Sequence, residues 1–219
     1  MKKEIPKELK IFIDFDDAIF YTKAFKEGLI GVFEKNGVSE EDFSRTYREL
    51  SKKNKSGIAK RDPYNQIRFL EKELGIDGKK TKSDLDRFLK NSRKYIFKDI
   101  NPFLKNFSKN NLHIITFGHA KFQAKKIDGC NLKRYFKRIV VTDKIKSEVI
   151  SRFSSNGDVF VFIDDRIEQI DAVKKKFKKC ITFFIKRKEG RYKDKKTKYV
   201  DYEVKNFKEI EKILKSLTV

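Results

Sequence analysis

The hydrophobic pattern that organises this chain lies at positions 11–20, which read IFIDFDDAIF. An apolar run without polar alternation predicts a strand buried on both faces, as in a parallel sheet with helices on either side. The run leads directly into Asp14, Asp16 and Asp17. Carboxylates at the end of a buried strand are costly unless they are solvated, paired or bound to a cation. These aspartates therefore form either a functional site or, alternatively, the polar start of the next helix.

Similar apolar runs recur along the chain, and segments of helical period separate them. They predict strands at residues 112–118, 138–141, 159–163, 181–185 and 199–204. A capping box of Asn206 and Glu209 predicts the start of the last helix. Strands that alternate with helices predict an α/β fold, a doubly wound and mostly parallel sheet of five or six strands.

Residues 21–97 have helical periodicity throughout and no strand signal. Helix starts are predicted after Ser39, at Asp62-Pro63 and at Ser83, and the first helix of the segment ends at Gly37. We therefore predict a helical bundle, residues 21–97, inserted as a cap into an α/β core formed by residues 1–20 and 98–219.

Composition limits the class of protein. The 219 residues are 38% hydrophobic and 39% charged, which suits one domain or one domain with a small insert. No apolar run approaches the roughly 18 residues of a membrane-spanning helix, and no apolar segment follows the basic start. Cys130 and Cys180 have no CxxC spacing, so neither a disulfide framework nor a zinc site is indicated. We expect a cytoplasmic protein without a membrane partner.

The net charge of +22 favours polyanionic or phosphorylated partners. The alternative is a lysine-rich surface with no specific role, since basic residues recur along the whole chain. Residues 186–198, KRKEGRYKDKKTK, combine arginine, lysine and tyrosine, which are the ingredients of a nucleic-acid contact or of a solvated loop. Both interpretations stay open at this stage.

Several polar groups follow the predicted strands, where the carboxyl ends of a parallel sheet bring ligand-binding groups together. They are Asp14, Asp16, Thr116, Lys144 or Lys146, Asp164 and Asp165. In this order they resemble the four motifs of the haloacid dehalogenase-like (HAD) hydrolase superfamily, of the phosphatase type with a first-type helical cap. The resemblance covers essentially the whole chain, because the helical insert lies where that superfamily places its cap.

The resemblance implies phosphoryl transfer through an aspartyl phosphate on Asp14, with Asp16 as general acid and base. Thr116 and the backbone near Phe117 and Gly118 would bind phosphoryl oxygens. A lysine would neutralise charge in the transition state. Lys146 matches the usual placement best, and Lys144 is the second choice.

The resemblance also implies a Mg²⁺ ion, since a pocket of carboxylates without histidine or cysteine suits a hard cation. Asp14, the main-chain carbonyl of Asp16 and Asp165 would hold it, and Asp164 would support them. Gln169 stands where family members often carry a further acid, which weakens the outer metal shell. Ala18 stands where most members have Thr or Val.

We therefore predict a Mg²⁺-dependent phosphatase acting on a small phosphorylated metabolite or nucleotide. A phosphomutase on the same core is one alternative. A basic nucleic-acid-binding protein with a vestigial site is another. The presence of Asp16 argues against a haloacid dehalogenase, a branch that generally lacks this second aspartate. Of the two histidines, we expect His113 to be structural and His119 to make an ordinary polar contact.

Overall fold

The computed structural model describes residues 9–53 and 59–217. In chain order the first elements are β1 (Lys10–Ile13), α1 (Thr22–Glu34), α2 (Glu40–Glu49), β2 (Lys52–Lys53), β3 (Ala59–Lys60), α3 (Pro63–Leu74), α4 (Gly78–Lys90), a 3₁₀ turn (Ser92–Tyr95), α5 (Ile100–Leu104) and a second 3₁₀ turn (Lys109–Asn111). They are followed by β4 (Leu112–Phe117), α6 (Ala120–Gly129), a third 3₁₀ turn (Lys133–Tyr135), β5 (Arg138–Thr142), α7 (Lys146–Ile150), β6 (Phe160–Asp164), α8 (Ile167–Lys176), β7 (Ile181–Ile185), β8 (Tyr202–Val204) and α9 (Phe207–Leu217).

The chain forms two compact units. The α/β unit contains residues up to 21, residues 96–116 and the chain from residue 132 onward. The helical unit contains residues 22–95 and 117–131. Our predicted division assigned residues 117–131 to the α/β core, whereas in the structure these residues group with the helices. The cap role of the helical segment stays a prediction.

The α/β unit is built on a six-stranded sheet of order β5-β4-β1-β6-β7-β8, flanked by helices. The registers of β1 with β4, β1 with β6, β6 with β7, and β7 with β8 are all parallel. The chain winds outward from β1 through β4 and β5, then returns to the other side of β1 and winds through β6, β7 and β8. The predicted doubly wound parallel sheet is confirmed, and β1 lies at the point where the winding direction reverses.

The core of this unit is dominated by phenylalanine. Phe12, Phe162 and Phe184 come from three neighbouring strands, and they are buried with residues of α7 and α8 in one cluster. Strands with helices on both faces must be apolar at every position, which explains the continuous apolar runs in the sequence. The central strands of the sheet thus lead into aspartates: Asp14 follows β1, and Asp164 is the last residue of β6.

His113 is buried in β4, where its ring stacks on Phe12 at 4.9 Å between centroids. Burial, together with the positive charges of Arg138, Lys137 and Lys10, lowers the pKa of His113 to about 4. Between pH 6.5 and 4 the unfolded chain therefore binds a proton at this position that the folded chain does not, so acidification lowers the free energy of unfolding.

We expect His113→Leu to remove part of this acid sensitivity. As the pH falls from 6.5 to 4, the natural protein should lose up to about 3 kcal/mol of its free energy of unfolding that the variant does not lose. Each pH unit is worth about 1.4 kcal/mol per proton. Urea titrations across this pH range measure it. His119→Leu is the matched control, and equal behaviour of the two variants would contradict the assignment to His113.

Side chains cap the starts of helices in the helical unit, and the sequence predicts two of these starts. Ser39 accepts a hydrogen bond from the Asp42 amide (3.0 Å), and Asp62 accepts one from the Tyr64 amide (3.0 Å), which confirms both predicted helix starts. The predicted start at Ser83 is wrong. The helix begins at Gly78 because the Asp77 carboxylate caps it, accepting from the Lys80 amide at 2.8 Å.

Within the described ranges, no helix has the length and apolar character needed to cross a bilayer. The predicted basic stretch between α2 and α3 and the basic start of the chain fall partly outside the described residues, at positions 54–58 and 1–8.

Candidate active site

The two central strands end side by side in aspartates. Ile13 of β1 pairs with Ile163 of β6, and the Asp14 amide donates to the Ile163 carbonyl at 2.9 Å. Asp14 therefore lies next to Asp164, the last residue of β6. Because both strands are buried and run parallel, their terminal carboxylates meet at the point where the winding direction of the sheet reverses.

Residues 15–20 form a tight turn after β1. The amides of Ile19 and Phe20 both donate to the Phe15 carbonyl at 3.0 Å, and the Asp17 amide donates to the Phe20 carbonyl at 2.8 Å. Asp17 has a φ of 60°, an angle that aspartate tolerates better than most residues. Helix α1 begins only at Thr22. The alternative interpretation, in which these aspartates start a helix, is therefore wrong.

Lys146 is the cation of the site. Its side chain is completely buried, and Nζ donates to Asp14 Oδ1 and, at 2.7 Å, to Asp164 Oδ2. Although burial alone would lower the pKa of Lys146, the charges of Asp14 and Asp164 raise it above its ordinary value, so the ammonium is charged. Lys144, the second choice from sequence, is exposed.

Gln169 has a role that the sequence analysis missed. Its Oε1 accepts a hydrogen bond from the Lys146 amide at 3.2 Å, and the Gln169 side chain is buried. A carboxylate at this position would add a negative charge to the buried aspartate cluster, whereas the amide orients the start of α7 without one. Gln169 thus helps to position the lysine.

Three carboxylates form a compact acidic cluster. Oxygens of Asp14, Asp164 and Asp165 lie within 4.8 Å of one another, and all three residues are buried. Burial, with the charges of Asp164 and Asp16, raises the pKa of Asp14 to about 7 against the opposing effect of Lys146. Burial and the neighbouring charges of Asp14, Asp164 and Asp17 raise the pKa of Asp165 well above its ordinary value. If all three carboxylates were ionised, the cluster would have more negative charge than one lysine can compensate.

The residues present fit a divalent metal ion. Asp165 Oδ2 is buried, and within residues 9–53 and 59–217 no donor reaches it. Asp164, in contrast, accepts from both Lys146 Nζ and the Arg166 amide (2.9 Å). An unpartnered buried oxygen among hard oxygen ligands is what a Mg²⁺ site requires. Asp165 is thus better placed than Asp164 to be a direct ligand.

Two arginines of the basic loop, residues 186–198, support the aspartate turn. Arg187 is buried; its guanidinium forms two hydrogen bonds of 3.1 Å to Asp99, and its Nε donates to the Ala18 carbonyl at 2.9 Å. Arg191 pairs with Asp17. Neither role is predictable from the sequence, because loop arginines resemble surface residues until the contacts with distant segments are known.

We expect Arg187→Met to lower the free energy of unfolding by about 3 kcal/mol, since it leaves the Asp99 carboxylate, whose side chain is only 10% exposed, without its cation. Denaturant titration measures the change. The double variant Arg187→Met/Asp99→Asn should recover part of the loss, because no buried charge remains. Lys188→Met, an exposed neighbour, should change stability by less than about 0.5 kcal/mol. A loss of similar size in this control would contradict the explanation.

The other residues that the sequence analysis singled out are divided between the two units. Thr116 is buried near the end of β4, the strand beside β1. Phe117 and Gly118 follow it and belong to the helical unit, where Gly118 adopts a φ of 147°. Asp16 is half-buried in the aspartate turn. His119 precedes α6, and its Nε2 lies 3.7 Å from Asp62 Oδ2 within the helical unit.

A doubly wound parallel sheet, with carboxylates at the ends of its central strands and a buried lysine between them, has the fold of the HAD-like hydrolases. Solved structures of such proteins match nearly the full chain. YfnB from Bacillus subtilis, a candidate HAD-hydrolase solved with magnesium bound, is 18% identical with a TM-score of 0.61, and the match covers 95% of this chain and 99% of that one.

Two further matches differ in their chemistry. A HAD phosphatase from Thermococcus onnurineus is 20% identical (TM-score 0.59; 94% of this chain, 97% of that one). A 2-haloacid dehalogenase from Pseudomonas syringae pv. Tomato DC3000 is 16% identical (TM-score 0.57; 95% of this chain, 99% of that one). No protein-family model and no curated protein matches the sequence. At these identities the likeness establishes the fold, and the reaction must be argued from the site.

Proposed function

We propose that the protein is a Mg²⁺-dependent phosphomonoester hydrolase of the HAD-like superfamily. The observation that carries this proposal is the buried Lys146 ammonium, hydrogen-bonded to both Asp14 and Asp164 at the ends of the two central strands. A fixed cation at this position offsets the charge that an anionic phosphoryl group would bring to Asp14. The four ordered motifs and the fold support the same conclusion.

In the first step, a carboxylate oxygen of Asp14 attacks the phosphorus atom. A bond from Asp14 to phosphorus forms while the bond from phosphorus to the ester oxygen breaks, and the electron pair goes to that oxygen. Asp16, in its protonated form, donates a proton to the departing oxygen, so the alcohol leaves neutral. Asp14 is suited to this role because a carboxylate is both a nucleophile and a good leaving group.

In the second step, Asp16 accepts a proton from a water molecule that attacks the phosphorus of the aspartyl phosphate. The bond between phosphorus and Asp14 breaks, inorganic phosphate is released, and both aspartates return to their starting forms. Lys146 stays hydrogen-bonded beside Asp14 through both steps and compensates charge on the phosphoryl oxygens. We assign Thr116, with the backbone of Phe117 and Gly118, to binding those oxygens.

When bound, Mg²⁺ supplies the positive charge that allows a phosphate dianion to enter a pocket of carboxylates. Asp14, Asp165 and the main-chain carbonyl of Asp16 would hold it, and Asp164 supports them through Lys146. Asp16 also favours phosphate esters over haloacids as substrates. An alkoxide leaving group needs a proton from Asp16, whereas a halide leaves without one.

The test is a panel of small phosphorylated metabolites and nucleotides, with 2-chloropropionate as the competing substrate, assayed with MgCl₂ or with EDTA. Phosphate release that requires the metal supports the proposal, and the panel begins to identify the substrate. Chloride release without phosphate release would refute it. Retention of full phosphatase activity in EDTA would refute the metal requirement.

A further inference from the structure

Two cavities lie within the helical unit. The larger, of about 680 Å³, is lined by residues of α3, α4 and α6 and their flanking segments, including the cations Arg68, Lys79, Lys82, Lys121 and Lys125. The smaller, of about 540 Å³, is lined by residues of α4, including the cations Lys79, Lys82, Arg87 and Lys90. Lys79 and Lys82 line both cavities, so the two are neighbours, and we refer to them together as the basic cleft.

Two of the three acidic residues of the basic cleft are engaged within the protein, and the third, Glu71, lies beside Gly78. Asp86 accepts hydrogen bonds from Tyr64 (2.5 Å) and Lys125 (2.7 Å). Asp62 caps the start of α3 and lies beside His119. Asp86 also interacts electrostatically with Lys82. The seven cations of the cleft nevertheless outnumber its three acidic residues, so the cleft keeps a net positive charge.

The central cations of the cleft take no part in these hydrogen bonds. Lys79 and Lys82 are exposed, and in the described part of the chain neither forms an ion pair. They lie one helical turn apart on α4, and Lys90 lies two turns beyond Lys82 on the same side of the helix. At a rise of about 1.5 Å per residue, the row from Lys79 to Lys90 spans about 16 Å. A row of this length can contact several consecutive phosphates.

The larger cavity also contains aromatic side chains. Tyr64 and His119 both line it; Tyr64 is half-buried, and Lys125 Nζ lies over one face of its ring, 4.6 Å from the centroid. Proteins that bind single-stranded nucleic acid combine a basic groove, which follows the backbone, with aromatic rings on which bases stack. A duplex holds its phosphates on a stiff cylinder, whereas a single strand can bend into two adjoining cavities.

We propose that the basic cleft of the helical unit binds single-stranded nucleic acid, with backbone phosphates on Lys79, Lys82 and Lys90 and bases against Tyr64. The basic loop of residues 186–198 is a weaker candidate for this role. Its arginines, Arg187 and Arg191, are paired with aspartates of the α/β unit. The proposal does not rest on the phosphatase assignment, since neither the three lysines nor Tyr64 has a role in phosphoryl transfer.

The experiment measures fluorescence anisotropy of a labelled 15-nucleotide oligothymidylate with the full-length protein between 50 and 200 mM NaCl. The double variant Lys79→Glu/Lys82→Glu should bind at least about tenfold more weakly at 100 mM salt. The slope of log affinity against log salt should fall by about 1.4, since each lost phosphate contact in a single strand contributes about 0.7.

The matched control is Lys23→Glu/Lys35→Glu, which makes the same charge change at exposed positions of the helical unit outside the cleft. It should leave the salt slope unchanged and the affinity within about threefold. Equal losses in both double variants would show that only the overall charge matters and would overturn the proposal. The proposal would also be overturned if the oligonucleotide did not bind at 50 mM NaCl or if a duplex of the same length bound more tightly. Displacement of the oligonucleotide by 10 mM inorganic phosphate, beyond the effect of equal ionic strength, would overturn it as well.

Discussion

Asp14→Asn is expected to lower the Mg²⁺-dependent release of phosphate by about a thousandfold or more. The amide has almost the same size and shape as the carboxylate, but it lacks the charged oxygen that attacks phosphorus. Asp14 is buried, and burial raises its pKa to about 7, so an uncharged side chain at this position is compatible with the fold. The variant should therefore fold normally and still be inactive.

Steady-state kinetics with two esters distinguish the roles of the two aspartates. Asp16→Asn should reduce turnover strongly for an alkyl phosphate, whose leaving oxygen needs a proton, and less for p-nitrophenyl phosphate, whose leaving group is stable as an anion. Asp14→Asn should reduce both equally. Substantial activity in Asp14→Asn, with a thermal unfolding curve like that of the natural protein, would contradict the aspartyl-phosphate mechanism.

Lys146→Met is expected to lower the free energy of unfolding by about 3–5 kcal/mol at pH 8 in the absence of divalent metal. Methionine fills a similar volume, but the carboxylates of Asp14 and Asp164 lose the cation that compensates them inside the protein. The loss should be smaller at pH 5. Burial and the neighbouring charges raise the pKa of Asp14 to about 7 and that of Asp165 above its ordinary value, so acid reduces the negative charge that is left without a cation.

Urea titrations at pH 5 and pH 8, with and without 10 mM MgCl₂, measure this effect. Magnesium should restore part of the stability lost at pH 8, since a divalent cation among the carboxylates replaces the missing positive charge. Lys144→Met is the matched control, and because Lys144 is exposed its effect should stay below about 0.5 kcal/mol at both pH values. Equal losses in the two variants, or a loss at pH 8 that neither acid nor Mg²⁺ reduces, would argue against the compensating role of Lys146.

The two proposals involve different residues. The nucleophile, the general acid and Lys146 belong to the α/β unit, where Asp14 and Asp164 lie at the ends of buried strands. Nucleic-acid binding depends on exposed lysines of the helical unit, which contribute charge and little geometry. If only one of the two activities is measured, the proposal for that activity stands and the other proposal is excluded.

The sequence by itself determined the sheet and the position of the acidic site. Buried parallel strands must be apolar throughout, so their ends are marked in the sequence wherever an aspartate follows an apolar run, as at Asp14 and Asp164. Parallel strands also bring their carboxyl ends to the same edge of the sheet. The convergence of these carboxylates therefore follows from local pattern and chain topology.

Only the tertiary structure decided which cations and carboxyl oxygens are engaged. Lys144 and Lys146 are chemically identical and two residues apart, and burial against Asp14, 132 residues away, distinguishes Lys146. Arg187 finds its partner Asp99 across 88 residues, and Arg191 finds Asp17 across 174. Local sequence carries no signal for such pairs, because the free energy of an ion pair depends on its distance and burial in the folded chain. The grouping of residues 117–131 with the helices depends on tertiary packing in the same way.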